Sequence, residues 1–129
     1  MTQENKKLLL QDLCERIPYG VILKTDNVFP QKLEGISFDK DDTFVFLVSD
    51  GGFTLDYMDC KPYLFPLSSM TEEQKVIYGD LCYAVIHSLA WNMQAALNEL
   101  VDWLNKNHFD YRGLIPMGLG IDATELNIY

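Results

Sequence analysis

Residues 43–58 read TFVFLVSDGGFTLDYM. The first six, Thr43–Val48, are β-branched or aromatic and almost continuously apolar, the composition of a strand covered on both faces. SDGG (49–52) supplies residues that tolerate positive φ, and FTLDYM (53–58) follows as a partner strand, so the stretch predicts a β-hairpin. Toward the N-terminus, DKDD (39–42) is a polar turn, and KLEGISF (32–38) is a half-exposed strand with a bulge or bend at Gly35. VILK (21–24) is a further short strand, set off by TDNVFPQ (25–31), whose Asp, Asn and Pro mark a turn or loop. Residues 20–60 are therefore expected to form a curved antiparallel sheet of about four strands, or the same strands closed into a small barrel.

Helical patterns flank the sheet. Thr2 can cap a first helix, with Glu4 in its first turn and Leu9, Leu10, Leu13 and Ile17 at helical spacing, until Pro18 and Gly20 end it. After the strands, KPYLFPLSSM (61–70) holds two prolines that forbid helix, and it reads as an extended linker. TEEQ (71–74) is a capping box. Ile77, Leu81, Val85, Leu89, Met93, Leu97, Leu100, Val101 and Leu104 then keep a helical period to Asn107. One helix of roughly 35 residues would exceed the usual globular length, so a break near Ser88–Asn92 into an antiparallel pair is expected. GLIPMGLGIDATELNIY (113–129) predicts an irregular tail with one short strand. The fold class is thus a single α+β domain over residues 1–129: N-terminal helix, curved sheet or small barrel, C-terminal helical hairpin and irregular tail.

Composition narrows the function classes. With 129 residues, 48% hydrophobic and 12% aromatic, the chain has material for one core and no disordered composition. The net charge of −9 argues against nucleic-acid binding, which draws on Lys and Arg. Between Asp26 and Asp80 eleven carboxylates face four lysines, so this part carries −7 of the −9. Such acidity suits solubility, a basic partner, or mimicry of nucleic acid. No apolar run approaches the roughly 20 residues that span a bilayer. Cys14, Cys60 and Cys82 form no CxxC pair, and together with the absence of a signal-like start they predict reduced thiols in a cytoplasmic, soluble protein.

The densest polar cluster is NHFDYRG (107–113). In a structural role, Asn107 takes the left-handed position after a helix, Phe109 and Tyr111 plug the core, Asp110 and Arg112 pair or bind backbone groups, and Gly113 permits the turn. In a chemical role, His108 is a general base oriented by Asp110, with Arg112 holding an anion. No motif supplies a positioned nucleophile, so the structural role is expected. Ser68 and Ser69 lack a nucleophile elbow and lead into the Thr71 cap. DKDDTF departs from a calcium loop at Phe44 and Asp50. Asp56 and Asp59 are expected on opposite faces of a strand. His87 has no acidic or cysteine partner at helical spacing, and Gly118 and Gly120 fit no phosphate loop. No metal or cofactor is expected. Trp91, Trp103 and Tyr111 are candidate members of an interaction surface, because so many aromatic residues in a small domain need not all be buried.

Three stretches, LLLQDLCERIPYGV (8–21), KPYLFPLSSMTEE (61–73) and DWLNKNHFDYRGLI (102–115) with its glycine-containing tail, resemble an uncharacterised family of small proteins from gut anaerobes and their phages and mobile elements. The likeness covers a little under half of the chain. It departs at Phe65, where the family pattern has arginine, and from Val76 to Asn98, which matches no family motif. The resemblance implies a setting and no activity. The function expected is a non-enzymatic protein-interaction module of phage or mobile-element type, binding a protein partner or a second copy of itself. Two alternatives are a small hydrolase or transferase using His108, Asp110 and Arg112, and an acidic nucleic-acid mimic.

Overall fold

The structure is a computed structural model that describes residues 2–25, 29–38, 44–48, 54–56 and 60–129, with backbone alone for Phe38, Phe44, Val45 and residues 54–56. The DKDD and SDGG turns, and Asp59 of the carboxylate pair, lie outside the described residues.

Helix α1 spans Gln3–Arg16, and the Thr2 hydroxyl caps it by accepting from the Asn5 amide at 3.1 Å. Leu9, Asp12, Leu13 and Arg16 are its buried residues, the spacing of one helical face. A 3-10 turn at Ile17–Tyr19 containing Pro18, then Gly20 at φ 73°, stops the helix and turns the chain into the sheet.

Strands β1 (Ile22–Lys24), β2 (Gln31–Phe38), β3 (Phe44–Val48) and β4 (Thr54–Asp56) pair antiparallel in sequence. The β2–β3 register shifts between Leu33 and Gly35, so the expected irregularity sits at the glycine. The order β4-β3-β2-β1-β5-β6 leaves an open sheet rather than a barrel. Its fifth strand, β5 (Lys61–Pro66), is the stretch expected to be a linker. Prolines bar helix but accept extended backbone, and the other residues supply the ladder. The Phe65 amide donates to the His108 carbonyl at 2.8 Å, and the Leu64 carbonyl accepts from the Ala123 amide at 2.9 Å. β5 runs antiparallel to β1 and parallel to two short tail strands, β6 (Phe109–Asp110) and β7 (Ile121–Asp122).

Thr71 and Gln74 complete both halves of the capping box that starts α2 (Glu72–Ile86). The chain turns at residues 87–92 and returns as α3 (Met93–Lys106), so the hairpin breaks where expected. Leu9, Leu13, Val21, Leu23, Leu33, Phe46, Val48 and Leu64 form the core between α1 and the sheet, joined by Leu114 and Leu119 of the tail. A second cluster of Met70, Leu104 and Phe109 seats α3. Helix α2 contributes no buried residue.

Candidate functional site

The residues after α3 divide among three separate settings. Arg112 belongs to a polar knot against α1. Its Nη1 donates to Asp12 Oδ1 at 2.8 Å and its Nη2 to Glu15 at 2.7 Å. The other oxygen of Asp12 accepts from Arg16 Nε at 2.7 Å, and Arg16 Nη2 reaches the Phe109 carbonyl at 2.7 Å. The Tyr111 ring lies 5.2 Å and 4.7 Å from the two guanidinium carbons, within cation–π range. Two arginines thus balance two carboxylates. Asp12 and Arg16 are fully buried, and the cost of desolvating them is offset in part because both Asp12 oxygens and Arg16 Nε and Nη2 are engaged. The buried Arg16 Nη1 has no hydrogen-bond partner among the described residues. Burial acts to raise the Glu15 carboxyl, but hydrogen bonds from Arg112 and Tyr111 outweigh it and hold the group below its ordinary range. Burial likewise opposes charge on Arg112, and its bonds to Glu15 and Asp12 more than restore it.

Asp110 binds backbone. Its two oxygens accept from the amides of Leu114 and Ile115, each at 2.9 Å, which pins the start of the tail with Gly113 at φ 77°.

His108 takes a third direction. It occupies the left-handed position, at φ 61°, one residue beyond Asn107, which has φ −96°. The shift by one residue lets the Asn107 amide donate to the Trp103 carbonyl both from its backbone (3.1 Å) and from its side chain (2.8 Å). The imidazole stacks on Tyr129, ring centroids 3.6 Å apart and 12° between planes. Burial, with the nearby Arg16 charge second, pushes its pKa down to about 4, so the ring is neutral at pH 7. Its buried Nδ1 has no hydrogen-bond partner among the described residues. Tyr129 in turn donates to the Tyr63 carbonyl at 2.8 Å and accepts from the Ile22 amide at 2.9 Å, with burial raising its hydroxyl to about 12. The two rings, with Phe65, Ser69, Thr71 and Lys106, border an open cavity of about 390 Å³. Asp110 therefore does not orient His108, and Arg112 is held by α1 rather than presented beside the imidazole. No three of His, Cys, Asp or Glu gather as metal ligands among the described residues.

The other candidate residues are aromatic. Trp103 stacks between Tyr78 (6.3 Å) and Phe109 (5.6 Å), and Tyr111 sits in the polar knot. Trp91, at the turn between α2 and α3, is 80% exposed. Along α2 and the turn after it further apolar side chains stand open that helical periodicity did not reveal: Val76 64%, Tyr83 64%, Ile86 75% and Leu89 61% exposed. The half-buried positions of α2 are Gln74, Tyr78, Leu81, Cys82 and Val85, so Ile77 and Leu89, expected on the inner face, lie outside it. A signal for this surface exists in the sequence. No Asp, Glu, Lys or Arg occurs between Asp80 and Glu99, whereas a solvated helical hairpin normally carries charge on its outer face.

No family model, curated protein or solved structure matches the chain. No helix among the described residues is long and apolar enough to cross a membrane.

Proposed function

We propose that this chain is a non-enzymatic protein-interaction module acting through the outer face of its helical hairpin. The observation that carries the proposal is the charge-free run from Leu81 to Asn98, whose Tyr83, Ile86, Leu89 and Trp91 are all more than 60% exposed. Contiguous open apolar surface of this kind marks interaction sites in folded domains, and Trp and Tyr are favoured anchors at their centres. The separation of His108, Asp110 and Arg112 into three bonding sets supports the non-enzymatic reading. A phage or mobile-element setting rests on the resemblance of KPYLFPLSSMTEE and DWLNKNHFDYRGLI, and a cytoplasmic location on the cysteine spacing.

Affinity capture from a host lysate, with the wild-type chain and with Trp91→Ala as baits, tests the proposal. A stoichiometric complex that weakens at least tenfold on substitution, or self-association of the wild-type chain, is expected. A wild-type chain that stays monomeric and retains no protein contradicts it.

A further inference from the structure

We propose that the occupant of the α2 outer face is a second copy of this chain, packed antiparallel about a two-fold axis near Leu81; this rests on the hairpin's being an interaction surface. Glu72, Val76, Gly79, Tyr83 and Ile86 follow one another along α2 at alternating spacings of four and three residues, the pattern of a helix–helix seam. Val76, Gly79, Tyr83 and Ile86 are exposed and lie away from the half-buried side of α2. The part of the pattern from Val76 to Ile86 is symmetric about residue 81. In an antiparallel pair Gly79 therefore meets Tyr83 of the other copy and Val76 meets Ile86, while Glu72 lies beyond the end of the partner's helix. The largest side chain of the seam faces the smallest, and an isologous contact of this kind closes at two copies.

Gly79 is the independent sign of a close neighbour. Glycine inside a helix costs roughly 1 kcal/mol relative to alanine, and a Cβ added here would meet nothing among the described residues within 4 Å. Nothing among the described residues calls for a glycine at this place, whereas a second helix crossing against Tyr83 does. Tyr83 is also pre-positioned, its ring tilted 30° against that of His87 with centroids 3.9 Å apart, so less side-chain freedom is lost on docking.

Charge selects the antiparallel sense. The acidic first turn, Glu72 and Glu73, lies beside the charge-free end of the partner helix, whereas a parallel pair would set Glu72 against Glu72. One like-charge approach remains, Asp80 flanking the seam beside its own copy. At the exposures of Val76, Tyr83 and Ile86, side chains of this size leave on the order of 400 Å² open per chain. A standard interface covers about 800 Å² per partner, roughly 60% of it apolar, so the seam supplies most of that apolar share.

Sedimentation equilibrium at micromolar concentration tests the pairing, with far-ultraviolet circular dichroism confirming that each variant keeps its helices. The wild type is expected at twice the 14.8 kDa chain mass. Tyr83→Glu and Gly79→Tyr should halve that mass, the double variant Gly79→Tyr with Tyr83→Gly should restore it, and Asp80→Asn should tighten association. A wild type at single-chain mass overturns the dimer, as does a folded Gly79→Tyr variant that still pairs or a double variant that fails to. A monomer that still captures another protein through Trp91 removes the dimer and leaves the interaction module standing.

Discussion

His108 is a neutral imidazole held in a left-handed backbone position against Tyr129, and its burial links stability to pH. Its folded pKa of about 4 lies below the ordinary 6.5, so the unfolded chain binds the proton more readily. The stability it contributes is present above pH 6.5 and is lost as the pH falls through 4. The loss is at most on the order of 3 kcal/mol. His108→Asn removes the titration, and asparagine tolerates the positive φ. Urea unfolding at pH 7 and pH 4.5 should show the variant losing less stability over that interval than the wild type; equal losses would refute the linkage. Glu15 contributes in the same direction at lower pH, because its depressed carboxyl must be protonated before its bonds to Arg112 are lost. At the other end of the knot, Asp12→Asn leaves Arg16 fully buried without its countercharge. A loss of about 3–5 kcal/mol in urea unfolding is expected; a loss below about 0.5 kcal/mol, as at ordinary surface positions, would show that the knot does not hold α1 to the tail.

Among the elements, the caps were the most legible. Thr2 and the TEEQ box act through bonds three residues away, and such local chemistry needs no knowledge of the fold. Thr71→Ala should cost about 1 kcal/mol locally, which is roughly a fivefold rise in amide exchange within the first turn of α2. Unchanged exchange there would mean that the cap is not what holds the helix start. The hairpin break at residues 87–92 was equally legible from helix length. What periodicity did not give was the direction each helix faces. Ile77 and Leu89 keep the period and are nonetheless exposed, because an apolar stripe marks a surface that wants covering without saying which molecule covers it. The strand KPYLFP was missed for a related reason. Its prolines exclude helix, but membership of a sheet is decided by the distant partners Leu23, Phe109 and Ile121.

The whole molecule places its two polar and apolar specialities on opposite sides of the same tertiary problem. The NHFDYRG cluster, which in sequence suggests catalysis, joins α1, β5 and the tail through bonds between residues about a hundred positions apart, such as Arg112 with Asp12 and Glu15. No local pattern announces such pairings. The helical hairpin instead leaves its outer face open, and the absence of charge from Leu81 to Asn98 is the part of that arrangement visible in the sequence. In the proposed working state this face is covered, the α2 seam by a second copy. Hydroxyl-radical footprinting across a concentration series measures it most directly. Tyr83 and Ile86 should become protected as concentration rises, while Met117, exposed at 46% on the tail, keeps its reactivity. Constant high reactivity at Tyr83 and Ile86 over the whole series would contradict the account.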